Sequence, residues 1–218
     1  MPTVKALLFD LDGTLTHSDP VHFLAFQKLM AGEGLEIDQE GYRRHISGRS
    51  NAEVGLRLFP ERSVDEHVKL LTRKEALFRE LAVELMPIKG LADLFNRARE
   101  RNMRLALVTN APRGNVSHML TAIGASDWFG TIVYGEEALR PKPDPLPYLM
   151  GLERLGVAAT EALAFEDSVP GIQSAKAAGI FTIGVTSSRT SEELSAAGAD
   201  LTISNFEDHR LLSMFQHY

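Results

Sequence analysis

Two carboxylates that directly follow an apolar segment are the first residues able to do chemistry. Residues 4–9 are almost wholly apolar, and Asp10, Asp12 and Gly13 come next. The apolar segment predicts a strand buried on both faces of a parallel sheet. The two acids would then lie at the edge where open α/β sheets bind ligands. Because such a pair is costly without a cation or proton between its members, it predicts a divalent-metal site or a nucleophile with an acid/base partner.

Three further polar groups follow predicted strands or a stiffened loop. Thr109 and Asn110 end one strand, Glu166 and Asp167 end another, and Lys142 lies between two prolines. Each has a structural explanation by itself: a helix cap, a turn, or a solvated loop lysine. So does the first acidic pair, which fits an ordinary turn. Together, however, they place carboxylates, a hydroxyl, an amide and an ammonium group at one sheet edge, which indicates a catalytic site.

The elements that must position these groups alternate along the second part of the chain. We predict helices over 91–101, 112–123, 144–155 and 170–178, with one more that begins near 190 and a last helix capped by residues 204–207. We predict strands over 105–108, 131–134, 162–165, 181–185 and 201–203. Strands alternating with helices of this length predict crossover units and a parallel sheet.

The segment between the first acids and this alternation is different, because it contains no convincing strand. Asp19 and Asp38 are predicted helix caps, and the capping-box patterns that begin at Ser50 and Ser63 predict two further helices. The last helix is predicted to cover about 64–85. We therefore predict an α/β protein with a Rossmann-like, three-layer parallel-sheet core (residues 1–14 and 86–218) and an inserted α-helical domain (residues 15–85).

Composition excludes several classes of function. The chain has 218 residues, 44% of them hydrophobic and 24% charged, which is ordinary for a globular protein with a substantial core. It has no cysteine, so disulfides, thiolate nucleophiles and cysteine-based metal sites are excluded. A net charge of −6 argues against nucleic-acid binding as the main role. With no signal-peptide pattern and no membrane-spanning segment, we expect a cytoplasmic protein, without a nucleic-acid or membrane partner, that acts as a monomer.

The ordered set of motifs resembles the haloacid dehalogenase superfamily. Its four motifs are matched by residues 10–14, by the strand end at Thr109, by Lys142 with its prolines, and by Glu166 with Asp167. The helical insert after the first motif is similar to the small cap of the branch that contains phosphatases and β-phosphoglucomutase. The dehalogenases and phosphonatases of the superfamily lack the second acid, so Asp12 implies phosphate-ester chemistry.

The resemblance implies a role for each motif residue. Asp10 would be the nucleophile that forms an aspartyl phosphate, and Asp12 the general acid and base. Mg²⁺ would be held by Asp10, the backbone carbonyl of Asp12 and Asp167, with Glu166 beside them. Lys142, Thr109 and Asn110 would bind the phosphoryl oxygens, whose charge must be neutralised for a carboxylate to attack.

Four residues outside these motifs are candidates for contacting the rest of the substrate. His22 matches a histidine near the active site of sugar-phosphate mutases, or is a partly buried helix histidine. Arg49 follows Gly48 in what resembles the substrate loop of the cap, and Lys74 matches a cap lysine loosely. Arg113 is close enough to Thr109 along the chain to reach an anion, or lies on a helix surface.

Three functions remain open at this point. The leading hypothesis is a Mg²⁺-dependent phosphatase of a small phosphorylated metabolite, such as a sugar or polyol phosphate. A β-phosphoglucomutase-type isomerase is the alternative among enzymes, although Thr14 after the acidic pair favours the hydrolases. A receiver-like phospho-acceptor module also places acids, a hydroxyl and a lysine at a sheet edge, but needs no helical insert of about seventy residues.

Overall fold

A six-stranded, wholly parallel sheet forms the centre of the computed structural model, which describes residues 4–215. The spatial order of the strands is β3-β2-β1-β4-β5-β6. The strands are β1 (Ala6–Phe9), β2 (Arg104–Thr109), β3 (Thr131–Tyr134), β4 (Ala162–Glu166), β5 (Phe181–Val185) and β6 (Leu201–Ile203). The predicted α/β fold with a Rossmann-like parallel sheet is thereby confirmed.

Helices join the strands, and the first four follow one another without a strand between them. They are α1 (Asp19–Gly32), α2 (Gln39–His45), α3 (Asn51–Leu58) and α4 (Val64–Leu81). The later helices are α5 (Leu91–Glu100), α6 (Arg113–Ala122), α7 (Leu146–Leu155), α8 (Val169–Ala177), α9 (Ser191–Ala196) and α10 (His209–Ser213), with a 3₁₀ turn at Ala159–Glu161. No helix within residues 4–215 combines the length and apolar character needed to cross a bilayer.

Strand β1 is buried on both faces because helices cover both sides of the sheet. Leu7 and Phe9 point into one apolar cluster, which includes residues of α5, α6 and α10. Ala6 and Leu8 point into a second cluster, formed with residues of α7 and α8. The alternation follows from the two-residue period of a strand, and its apolar character on both faces is typical of parallel sheets. The sheet is thus the middle of three layers.

Helices α1 to α4 have an apolar cluster of their own. Its buried members include Phe26, Leu29, Tyr42, Phe59 and Leu71. Ser50 and Ser63 cap α3 and α4, each with the reciprocal hydrogen bonds of a capping box, as predicted. A separate apolar cluster is what a distinct folding unit requires. It supports the proposed division into a core and a helical insert of residues 15–85, hereafter the helical segment.

Three predicted helix ends were wrong. Helix α4 ends at Leu81, four residues earlier than expected. Helix α1 begins at Asp19 itself, because its N-cap position is occupied by Ser18, whose hydroxyl bonds to Asp12 instead of capping the helix. The last helix begins at His209 and is capped by Asp208, whose carboxylate accepts a hydrogen bond from the Arg210 amide, and not by the predicted pattern at 204–207.

Candidate active site

The predicted site residues meet because their strands are neighbours. β1 pairs with β2 on one side and with β4 on the other, all in parallel. The carboxyl ends of these strands therefore lie side by side, and they carry Asp10, Thr109 and Glu166 with Asp167. Lys142 comes from the loop after β3. All five of these side chains are buried.

The Lys142 side chain lies at the centre of the site. Its Nζ atom donates hydrogen bonds to Asp10 Oδ1 at 2.7 Å, to the Val108 carbonyl at 2.7 Å and to Glu166 Oε1 at 2.5 Å. Burial opposes the charged form of the lysine, but the negative charges of Asp10 and Glu166 outweigh it and raise the pKa of Lys142 above its usual value. The ammonium group is therefore charged and points at the nucleophile candidate.

Glu166 is fixed by groups that the sequence did not single out. The Tyr148 hydroxyl, on α7, donates to Glu166 Oε1 at 2.7 Å, and both side chains are completely buried. A side chain on Gly171 would overlap Glu166, because an added Cβ would lie 1.9 Å from its Oε2 atom. Tyr148 carries no local signal of function, since an aromatic residue on a helix is usually a core residue.

An acidic cluster at this edge fits a divalent cation. Asp10, Glu166 and Asp167 can each place a carboxylate oxygen so that all three lie within 4.8 Å of one another. Burial raises the pKa of Asp10 well above its ordinary value despite Lys142, and burial with repulsion from Asp10 does the same for Asp167. Repulsion among these buried carboxylates favours a bound cation between them. Their hard oxygen atoms are ligands that suit Mg²⁺.

The Asp12 carboxylate lies outside this cluster, so the prediction of Asp12 as a metal ligand can apply only to its backbone carbonyl. Its Oδ1 atom accepts from Ser18 Oγ at 2.6 Å and lies 2.9 Å from His22 Nε2. Burial would raise the pKa of Asp12, but the charge and hydrogen bond of His22 and the hydrogen bond of Ser18 lower it overall. The two acids of the first motif are thus in different environments, Asp10 beside Lys142 and Asp12 beside His22.

Thr109 and Asn110 line the same pocket. Thr109 is buried, and its hydroxyl oxygen accepts a hydrogen bond from the Ala111 amide at 3.0 Å. Both polar atoms of the Asn110 side chain are buried without a hydrogen-bond partner. The side chain fits because residue 135 is glycine: a Cβ there would lie 2.6 Å from Asn110 Oδ1. An unsatisfied amide on a residue that lines the pocket is a group that a ligand could satisfy.

Three of the four candidate substrate residues lie around the pocket, namely His22, Arg49 and Lys74. The Arg49 Nε atom is buried without a partner, and burial together with the nearby Arg57 charge lowers the pKa of Arg49. An unpaired guanidinium nitrogen favours binding of an anion.

Arg113 does not line the pocket, and the structure favours the second interpretation of this residue, a position on the surface of α6. It forms ion pairs with Glu136 and Glu137 and stacks on the Tyr134 ring, 4.0 Å from guanidinium carbon to ring centre. More than half of its side chain is exposed. Its partners come from a loop far along the chain, and proximity to Thr109 in sequence could not reveal them.

The fold and the site together define an α/β enzyme that works with paired carboxylates and a lysine at the carboxyl edge of its sheet. The model of one sequence family, described as haloacid dehalogenase-like hydrolase, matches residues 7–185. The chain belongs to that family.

Among curated relatives, the CbbY protein of Rhodobacter capsulatus is 34% identical over 208 residues, covering 89% of this chain and 91% of that protein. The validoxylamine A 7'-phosphate phosphatase of Streptomyces hygroscopicus subsp. limoneus is 31% identical, and the match covers 94% of this chain and 96% of that protein. Among solved structures, CbbY from Rhodobacter sphaeroides, determined with phosphate and also with xylulose 1,5-bisphosphate, superimposes with a TM-score of 0.84. That match is 29% identical and covers 94% of this chain and 96% of the other.

Proposed function

We propose that the protein is a Mg²⁺-dependent phosphatase that hydrolyses a small phosphorylated metabolite, a sugar or polyol phosphate, through an aspartyl phosphate on Asp10. The contact between Lys142 and Asp10 at 2.7 Å, inside the acidic cluster, is the observation that carries the proposal. It supplies a buried carboxylate nucleophile with an adjacent positive charge. Attack on phosphorus requires both, because the phosphoryl oxygens repel an anion.

Asp10, Asp167 and Glu166 are the side chains that would hold Mg²⁺, with the Asp12 carbonyl as a further ligand. When bound, the metal neutralises charge on the phosphoryl oxygens and on the carboxylates around it. The Asp10 carboxylate would attack phosphorus while Lys142, Thr109 and the Asn110 amide group stabilise the phosphoryl oxygens.

Asp12 would act as the acid and then as the base. Ser18 and His22 favour the ionised form of Asp12 in the free protein, so Asp12 would take up a proton as the phosphate ester binds and give it to the departing oxygen of the substrate. The resulting carboxylate would then take a proton from the water that attacks the aspartyl phosphate, releasing inorganic phosphate and regenerating Asp10. Protons balance over the cycle, since the one given to the leaving group is recovered from water.

The substrate class is supported by the pocket and by the relatives. Arg49 and Asn110 line the site and carry polar atoms without hydrogen-bond partners, which suits a hydroxylated or anionic leaving group. The relatives include a phosphatase of Thermotoga maritima named for phosphorylated carbohydrates, 31% identical over 183 residues. Relatives named phosphoglycolate phosphatase extend the range to small phosphorylated acids. The family match favours this function over a receiver-like signalling module.

A panel of phosphate esters tests the proposal. Purified protein with Mg²⁺ should release phosphate from sugar or polyol phosphates, ranked by kcat/KM, without any kinase present. With β-glucose 1-phosphate, the appearance of glucose 6-phosphate in place of phosphate would identify a mutase instead. Absence of phosphate release from every ester would refute the phosphatase assignment.

A further inference from the structure

A series of side-chain hydrogen bonds leads from Asp12 in the core through the helical segment and back to the core at Asn115. Within residues 4–215, hydrogen bonds between two side chains cross between the helical segment and the core at Asp12 and at Asn115. Other kinds of contact also cross this boundary, including the Arg43–Glu193 ion pair and the hydrogen bond between the His118 ring and the Ala82 carbonyl. The path between Asp12 and Asn115 passes through His22, Lys74 and Glu75. Lys74 Nζ lies 2.9 Å from His22 Nδ1 and 3.1 Å from each carboxylate oxygen of Glu75.

Glu75 has no free acceptor for a substrate. Its Oε1 atom accepts from Asn51 Nδ2 at 2.8 Å and its Oε2 atom from Asn115 Nδ2 at 2.6 Å, in addition to the two contacts with Lys74. A carboxylate has about four acceptor sites, and all are used. Burial would raise the pKa of Glu75, but the Lys74 charge, with His22 and the Asn51 hydrogen bond, lowers it overall. Glu75 is therefore an ionised group whose contacts join helices.

Asn115 forms hydrogen bonds with side chains from two adjacent turns of α4. Its amide nitrogen donates to Glu75, and its Oδ1 atom accepts from Arg79 Nη1 at 2.8 Å. Glu75 and Arg79 are four residues apart and so lie on one face of α4. Asn115 is completely buried and lies in the first turn of α6, which starts just after the loop that carries Thr109 and Asn110. The contact therefore fixes α4 to the helix that follows the phosphate-binding loop.

We propose that Glu75 and Asn115 are positioning residues that form a clamp between the helical segment and the core. The clamp sets the position of Lys74 and His22 beside Asp12, and so aligns the acid/base group with the phosphate-binding loop. When the helical segment moves away from the core, the contact with Asn115 is lost and the alignment with it. The proposal rests on the proposed function for its catalytic consequence, although the clamp itself can be measured without activity.

The Asn115→Asp variant tests the clamp by placing a carboxylate opposite Glu75. Like charges at hydrogen-bond distance repel, so α4 and the first turn of α6 should separate. Amide hydrogen exchange should become about tenfold or more faster in the peptides covering 72–81 and 113–118, while the peptides of β1, β2 and β4 stay protected. The kcat/KM for an alkyl phosphate should fall about tenfold, with a smaller loss for p-nitrophenyl phosphate, which depends less on a general acid.

A polarity swap separates a direct contact from a general weakening of the fold. The Glu75→Gln single variant keeps the shape but presents an amide donor to other donors, and should show the same changes in milder form. In the Glu75→Gln/Asn115→Asp double variant, an amide again faces a carboxylate, which can also pair with Arg79. Exchange and kcat/KM should return to within about threefold of wild type.

The control is Glu33→Gln, which removes a carboxylate bonded to Arg62 and Arg73 inside the helical segment. It should leave exchange in 113–118 unchanged. Unchanged exchange in both single variants, or a double variant no better than Asn115→Asp, would overturn the clamp. If the wild-type protein hydrolyses no ester, the proposed function fails, but the exchange data still decide the clamp.

Discussion

The carboxylate of Asp12 and the imidazole of His22 are joined across the boundary between the sheet core and the helical segment, with Oδ1 and Nε2 2.9 Å apart. The His22 ring lies flat on the Phe78 ring, with ring centres 3.8 Å apart. The acid/base candidate is thus oriented by a residue of α1 that is itself held by α4. The orientation of the Asp12 carboxylate therefore depends on the position of the helical segment.

Replacing Asp10 by Asn should abolish hydrolysis without unfolding the protein. The amide keeps the shape of the side chain but removes the nucleophile and one negative charge of the metal cluster, so kcat should fall by several orders of magnitude. Steady-state kinetics with circular dichroism measure this. Asp127→Asn, at an exposed position, is the control and should be fully active. Turnover near the wild-type rate in a folded Asp10→Asn protein would disprove the nucleophile assignment.

Replacing Asp12 by Asn should have an effect that depends on the leaving group. Loss of general acid catalysis costs about 10²- to 10⁴-fold, but a good leaving group departs without a proton. We expect a large loss with an alkyl phosphate and a smaller one with p-nitrophenyl phosphate. Comparing kcat/KM for the two esters in wild type and variant gives the result. Equal losses for both would mean that Asp12 does not protonate the leaving oxygen.

Removal of divalent metal should abolish activity, and added Mg²⁺ should restore it. The buried carboxylates of Asp10, Glu166 and Asp167 repel one another without a cation. Asp167→Asn should raise the Mg²⁺ concentration needed for half-maximal activity, whereas Asp93→Asn on the exposed face of α5 should not. Titration of activity with Mg²⁺ after chelation provides the measurement. Activity that persists in excess chelator would contradict the metal site.

Replacing Arg49 by Ala should reduce discrimination among substrates. A hydrogen bond to a charged group is worth ~1.5–3 kcal/mol, so kcat/KM for anionic or hydroxylated substrates should fall by about 10- to 150-fold. The compound p-nitrophenyl phosphate should be largely spared, because it offers Arg49 little to bind. Arg44→Ala, at an exposed position of α2, is the matched control. Similar losses for both substrate types would assign Arg49 to positioning the helical segment.

Replacing Gly171 by Ala should displace the Glu166 carboxylate and so disturb the site. The new Cβ would overlap the Glu166 carboxylate, which cannot move freely because it is bonded to Lys142 and Tyr148. Overpacking of this kind costs about 1–3 kcal/mol of stability, and displacement of Glu166 should also lower kcat. Denaturant unfolding and kinetics test both effects. Gly130→Ala, where an added Cβ meets nothing within 4 Å, should change neither, and an unaffected Gly171→Ala protein would show that Glu166 can relocate.

The sequence alone determined the parallel sheet and the set of residues at its edge. Strand and helix periods are local properties, and the ends of parallel strands must share one edge, so the strand pattern by itself places Asp10, Thr109 and Asp167 at the same edge of the sheet. That they are neighbours there follows from the pairing of β1 with β2 and β4. The capping boxes at Ser50 and Ser63 could also be predicted from the sequence, because a helix cap involves only neighbouring residues.

Tertiary structure decided the contacts that join distant parts of the chain. No local sequence pattern indicates the roles of Tyr148, Glu75 and Asn115. Arg113 points away from the pocket because it pairs with acids more than twenty residues further along the chain. Which way a side chain points, and which partner it finds, follows from the packing of helices against the sheet and against each other. Sequence spacing does not contain that information when the partners are 18 to 40 residues apart.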